Sequence, residues 1–207
     1  MAETEQPQIY LITPPEFDLN VFPQTLAKVL ESTDVACIRL ALATRDEDRI
    51  LRAADAVREV AHQFDVALVL DTHVVLAQRL GLDGVHLLDG ARSVRWARKE
   101  LGDDAIVGAY CAQSRHEGMA AGESGADYVS FGPIGQTDLG DGAVVERELF
   151  QWWSEVIELP CVAEGALDVE EVANLSTITD FFAFGEEVWN QEDPSAALAR
   201  LTAAIRG

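Results

Sequence analysis

Gly125-Ala-Asp-Tyr-Val-Ser-Phe-Gly-Pro-Ile-Gly-Gln-Thr137 is the stretch that decides the fold. A helix ends at Gly125, a short buried strand runs from Tyr128 to Phe131, and a loop rich in Gly and Pro follows. Backbone N–H groups in such a loop can face a ligand. The same order recurs in Gly81-Leu-Asp-Gly-Val-His-Leu87: a helix end, Gly, Asp, then a short apolar strand closing on a polar residue. Repeated helix-to-strand units predict alternating β and α elements around a parallel sheet.

Outward from this stretch the alternation holds along the chain. Ile9-Tyr-Leu-Ile-Thr13 reads as a first strand, stopped by Pro14-Pro15. A helix over 22–31 leads to a strand over 35–40. Asp46, Glu47 and Asp48 then open a long amphipathic helix over 47–64, where acidic residues suit the positive end of the dipole. Ile50, Leu51, Ala54, Val57 and Val60 give that helix its apolar face. Further strands are expected over 67–70, 84–86, 106–110, 128–131, 161–163 and 181–184. Helices are expected over 74–80, 91–101, 114–124, 146–156, 169–175 and 194–205.

Eight strand-helix units in 207 residues predict a single (β/α)₈ TIM barrel with eight parallel strands. The strands are short and apolar throughout, as suits a parallel sheet covered on both sides. The rival is an open doubly wound sheet, but no GxGxxG follows any expected strand. The whole chain reads as one domain, with a flexible N-terminal tail over 1–7.

With 36 acidic and 15 basic residues the formal net charge is −21. Such a surface repels nucleic acid and anionic membranes, because binding phosphates takes Lys and Arg. No apolar run reaches the ~20 residues that span a bilayer, and the acidic, polar start is not that of a signal peptide. A cytoplasmic location is the default expectation. Cys37, Cys111 and Cys161 lie far apart without a CxxC pair, which argues against a disulfide framework.

A barrel of this kind does its chemistry at the C-terminal ends of its strands. The residues there are Thr13, Arg39, Asp71, Thr72, His73, His86, Cys111, Gln113, the 132–137 loop, Glu164, Gly165 and the turn 185–187. Asp71, His73 and His86 are candidates for a metal site, against packing as the plainer role of His86. Arg39 either anchors an anion or pairs with a carboxylate across the mouth. Cys111 is a candidate nucleophile against the reading of an inert buried thiol. Trp152 and Trp153 pack a helix or form a subunit contact, and Trp189 is a candidate cover for the mouth.

Several segments, in order and spacing, resemble the thiamine phosphate synthase family, which includes TenI-type thiazole tautomerases. They are Asp83-Gly-Val-His-Leu87, Gly125-Ala-Asp-Tyr-Val129, Phe131-Gly-Pro-Ile134 and Pro160-Cys-Val-Ala163. The resemblance runs from Tyr10 to the last strand and implies the same barrel. It implies a transferase in thiamine biosynthesis that joins hydroxymethylpyrimidine diphosphate to a thiazole phosphate with loss of pyrophosphate. It further implies Mg²⁺, a small-molecule ligand related to thiamine precursors, and a homodimer. Carried onto this sequence, the substrate-binding positions are Arg39, Gly132, Pro133, Thr137, Glu164, Gly165 and Glu186. Arg39 and Cys111 are the catalytic candidates, and Asp71 is the metal candidate.

The sequence departs from the family pattern at most of these places. The Gln-x-Arg-x-Lys of the family becomes Cys37-Ile-Arg-Leu-Ala41, which keeps Arg39 alone. Its Asn-Asp pair aligns without gaps with Asp71-Thr72, while a one-residue shift puts Asp71 in the place of the metal-binding Asp, and its Gly-Gln-x-Asp aligns with Leu88-Asp-Gly-Ala91. Its Ser-x-His-Ser/Thr becomes Cys111-Ala-Gln-Ser114. Thr137 survives, but Asp138-Leu-Gly-Asp141 follows it where a Lys belongs. The phosphate-binding turns read Ala163-Glu-Gly-Ala166 and Gly185-Glu-Glu187. A carboxylate ~4 Å from a phosphate charge is repelled by about 4 kcal/mol at an effective dielectric of 20. These changes predict a diverged or weakened synthase. The alternatives are an inactive relative that binds a cationic, unphosphorylated ligand, and a tautomerase.

Overall fold

A computed structural model describes residues 6–206. Eight parallel strands close into a barrel in sequence order: β1 (Gln8–Ile12), β2 (Cys37–Leu40), β3 (Ala67–Asp71), β4 (Gly84–Leu87), β5 (Ile106–Tyr110), β6 (Tyr128–Phe131), β7 (Cys161–Glu164) and β8 (Phe181–Phe184). Closure is made by β8 on β1, with Ile9 opposite Phe182 and Tyr10 opposite Ala183. The open-sheet alternative is therefore excluded.

The helices between them are α1 (Phe22–Ser32), α2 (Glu47–Gln63), α3 (Val74–Leu80), α4 (Val94–Leu101), α5 (Arg115–Glu123), α6 (Arg147–Val156) and α7 (Val169–Leu175). A four-residue helix, α8 (Glu186–Trp189), was not expected and precedes the last one, α9 (Pro194–Ala203). The tail expected over 1–7 falls outside the described residues except for Gln6 and Pro7, and Pro7 is buried. α4 begins at Val94 rather than Ala91. Gly90 turns the chain at φ +63°, and Ser93 is tied back to Asp89 at 2.6 Å.

The repeated Gly-x-Asp has a physical use. Gly81 and Gly125 take the left-handed turns that end α3 and the segment after α5, with φ of +64° and +103°. Two residues on, the carboxylates of Asp83 and Asp127 accept the backbone N–H of Leu68 and Val107, each at 2.7 Å. Asp180 does the same for Cys161 at 2.8 Å. Each of these aspartates precedes an even-numbered strand and satisfies the entry amide of the odd-numbered strand before it. This matters because an unpaired amide at a buried strand edge is costly.

Strand residues alternate between two environments. Leu11, Ile38, Leu70, Val85, Val107, Val129, Ala163 and Phe182 point outward and join the helices in the main core. Tyr10, Cys37, Val69, Tyr128, Val162 and Ala183 point inward and fill the barrel. Trp153 on α6 is fully buried, meets Phe131 edge-on with centroids 4.9 Å apart, and donates to Leu159 O at 2.8 Å. Its neighbour Trp152 lies under the Arg115 guanidinium at 4.7 Å.

Candidate active site

Above the apolar filling, the C-terminal half of the barrel interior turns polar. Arg39 is the one Arg or Lys on the eight strands, and it is 5% exposed. Its guanidinium makes a two-pronged contact with Glu164, Nη2 to Oε2 at 2.8 Å and Nη1 to Oε1 at 3.4 Å. Its Nε lies 3.4 Å from Asp71 Oδ1. Ser130 donates to Glu164 Oε1 at 2.5 Å. One cation is thus held by two carboxylates on β3 and β7, across the barrel from each other.

A second chain of contacts lies beside the first. His86 Nδ1 is 2.9 Å from the Tyr128 hydroxyl, which is 2.7 Å from that of Tyr10. His86 Nε2 stands 4.0 Å from Glu164 Oε1. Asp71 and His86 are register partners on adjacent strands. Among the described residues, three buried side-chain atoms lack a hydrogen-bond partner: Arg39 Nε, Asp71 Oδ1 and His86 Nε2. Buried polar atoms are rarely left so, and all three belong to this floor. Arg39 Nε and Asp71 Oδ1 face each other as an ion pair at 3.4 Å without hydrogen-bond geometry, and His86 Nε2 stands 4.0 Å from Glu164.

The electrostatics follow from burial. Burial opposes charge on Arg39, but Glu164 and then Asp71 override it and hold the guanidinium well above its usual range. Burial pushes the Asp71 carboxyl up to about 6, against the pull of Arg39 and helped by Glu164. Burial and then Arg39 hold His86 well below its ordinary value, so its ring is neutral at pH 7. The phenols of Tyr10 and Tyr128 are raised, first by burial, and stay protonated.

The rim comes from the loops after the strands. Tyr110, the last residue of β5, donates its hydroxyl to Gly132 O at 2.8 Å. Gly132 is required there, since a Cβ would stand 2.2 Å from Glu164 O. Gly165 takes φ +93° against Pro133 and Leu139, so the turn after β7 packs on the 132–142 loop. Thr137 is half-buried within that loop and Glu186 is exposed at the start of α8. Of the sequence candidates, Arg39, Asp71, His86 and Glu164 meet at the floor, while Gly132, Pro133, Thr137, Gly165 and Glu186 belong to the rim. Ser130 was missed in sequence, although its inward phase two residues beyond Tyr128 was available as a signal.

Three candidate roles find no support in the geometry. Asp71, His73 and His86 do not form a metal centre: among the described residues no three His, Cys, Asp or Glu side chains are placed to hold an ion. Asp71 is committed to Arg39, and Asp89 accepts from Ser93. Mg²⁺ is held through carboxylates in open octahedral geometry, so this donor set does not fit a resident ion. Trp189 is no cover for the mouth: it donates to Ile12 O at 2.6 Å and meets Phe22 edge-on. Cys111 is 3% exposed, donates to Ala109 O, and burial pushes its thiol up to about 12. A thiol in that state is a poor nucleophile. Cys37 and Cys161 are raised likewise, so native protein at pH 7 is expected to resist iodoacetamide while urea exposes three reactive thiols. Rapid native alkylation at Cys111, mapped by mass spectrometry, would overturn this.

A cleft of about 910 Å³ opens at the other end of the barrel, lined by Gln8, Val35 and Thr202. It lies at the strand N-termini, where barrels of this kind carry stability rather than chemistry. A smaller cavity of about 530 Å³ beside Tyr110, Cys111 and Asp89 lies at the mouth.

The family model described as Thiamine monophosphate synthase matches residues 9–184. The chain belongs to the thiamine monophosphate synthase family. A thiamine-phosphate synthase of Rhodospirillum centenum is 42% identical over 203 residues, covering 97% of this chain and 98% of the relative. One from Hyphomonas neptunium is 39% identical over 216 residues, covering 99% and 98%. Among solved structures, a thiamine phosphate pyrophosphorylase from Pyrococcus furiosus superposes with a TM-score of 0.83 at 22% identity, covering 96% and 95% of the two chains. At that identity the superposition speaks for the fold alone. Within this barrel, Arg39 is the cation and Glu164 is its partner. The acidic residue in the Ala163-Glu-Gly-Ala166 turn therefore points inward, 1% exposed, and not at the mouth.

Proposed function

We propose that the protein is a thiamine phosphate synthase-like transferase of thiamine biosynthesis, with weakened chemistry. The family reaction joins hydroxymethylpyrimidine diphosphate to a thiazole phosphate and releases pyrophosphate. Full-length likeness to two thiamine-phosphate synthases carries this reading. The polar floor supports it, lying at the end of the barrel where such enzymes bind substrate. Weakening follows from charge. The one cation in the barrel is neutralised by Glu164 and Asp71, so it meets a departing diphosphate as part of a pair. Each preorganised donor lost from such a site costs roughly 10²–10³ in rate.

The test is condensation by purified protein with both substrates and Mg²⁺, run beside the Rhodospirillum centenum relative. The expected turnover is about 100-fold or more below the relative's. Equal rates would overturn the weakened reading, and no product at high enzyme concentration would overturn the transferase.

A second reading is an inactive relative that binds a cationic, unphosphorylated thiamine-related ligand. Exposed Glu186 and the exposed acidic residues Asp138 and Asp141 at the rim favour it. Calorimetry separates the two: tight thiamine binding without pyrophosphate binding fits the second, and Mg²⁺-dependent pyrophosphate binding fits the first. A tautomerase needs a proton carrier: the neutral, buried His86 and the high-pKa Cys111 do not suit that work, which leaves His73 and the Asp71 carboxyl, raised to about 6, as its candidates.

A further inference from the structure

The turns after β7 and β8 meet at the mouth, where barrels of this kind frequently hold a phosphate on backbone amides. Here a side chain of the protein itself holds those amides. Glu187 Oε2 accepts the N–H of Gly185 at 2.8 Å, and its Oε1 accepts that of Leu167 at 3.0 Å. One carboxylate thus bridges the two turns through both oxygens. Its neighbours fix it in place: Val188 is fully buried and Trp189 is bonded to Ile12 O. Leu167 is 2% exposed, and its buried N–H has Glu187 as its partner.

We infer that Glu187 is the specificity-determining residue of the mouth, an internal anion that bars a ligand phosphate from the amides of Gly185 and Leu167. A phosphate monoester brought to this junction meets donors already engaged and a like charge beside them. Two charge-assisted hydrogen bonds must break before it can bind. An uncharged alcohol meets no such opposition. The thiazole partner preferred at this end is therefore the dephosphorylated alcohol rather than its phosphate ester. That choice of partner rests on the proposed transferase reading, whereas the barring of phosphate stands on the two hydrogen bonds alone.

The experiment has two arms. In the first, inorganic phosphate is titrated into wild type, E187A and E187Q while the Gly185 and Leu167 amide resonances are followed by NMR. E187A is expected to bind phosphate at least about tenfold more tightly than wild type, with both resonances shifting, and E187Q to fall between. In the second, kcat/KM is compared for the thiazole alcohol and its phosphate. Wild type is expected to favour the alcohol, and E187A to move the ratio toward the phosphate by about tenfold or more. Unchanged phosphate affinity in the folded variants, or tight phosphate binding at both amides of wild type, overturns the inference. If no condensation occurs, the transferase reading fails and the first arm still decides the role of Glu187. If E187A does not fold, E187Q decides it.

Discussion

Replacing Arg39 by Met is expected to cost about 3–5 kcal/mol of folding stability at pH 7, the usual cost of breaking a buried ion pair from one side. The guanidinium is the one cation against Glu164 and Asp71 within the barrel, since the nearby His86 is held neutral. Without it, Glu164 keeps the Ser130 hydroxyl, and two carboxylates share a largely buried floor. Asp71, whose carboxyl burial already raises to about 6, can escape by protonation, so the deficit of R39M should shrink as pH falls through 6. The double variant R39M/E164M removes both charges at nearly constant volume. It is expected to recover most of the loss, because a buried pair replaced by packed apolar groups is often neutral or stabilising. Urea melts of the three proteins check this. An R39M midpoint within experimental error of wild type would show that the pair is hydrated and contributes little. Activity of the double variant then divides structure from chemistry: restored stability with lost condensation would place Arg39 in the substrate's path.

The fold was legible because its signals are local. Gly81-Leu-Asp83 and Gly125-Ala-Asp127 each carry a left-handed glycine and a carboxylate that serves the preceding strand, and both features can be read in three letters. The helix Glu186–Trp189 was not legible, since four residues hold too little periodicity to stand out. The floor was only half legible. Pairing of Arg39 with a carboxylate across the mouth was expected and is found, but the choice of Glu164 spans 125 residues and exists only once the barrel closes. Ending β7 at Ala163 left the direction of Glu164 open. Extending the alternation from Val162 by two residues would have turned it inward. The turn Gly185-Glu-Glu187 shows the limit most clearly. Its two glutamates are interchangeable in sequence, yet one faces solvent and the other binds two amides, according to the path of the backbone.

Asp71→Asn is expected to remove a loss of stability that wild type suffers as pH rises from about 4 to about 6. The Asp71 carboxyl sits at about 6 in the folded protein against an ordinary 3.8, chiefly because burial disfavours its charge. Between those values the folded state keeps a proton that the unfolded chain has released. Stability from this group is therefore fully present below 3.8 and is lost as pH climbs through 6. A shift of this size corresponds to about 3 kcal/mol. The stability of wild type minus that of D71N should fall by about that amount between pH 3.5 and 7. A difference that rises with pH instead would mean that the attraction of Arg39 outweighs burial. Repeating the series with Mg²⁺ should leave the curve unchanged, because the carboxylate is engaged with Arg39 and, among the described residues, no group of three metal-ligating side chains is placed to hold an ion. Loss of the slope in Mg²⁺, in wild type but not in D71N, would instead identify Asp71 as a metal ligand. A carboxyl titrating near 6, one of its oxygens without a hydrogen-bond partner, is also the group on this floor whose proton is most readily exchanged near neutral pH. The pH dependence of any condensation measured should therefore carry an inflection near 6 that D71N lacks.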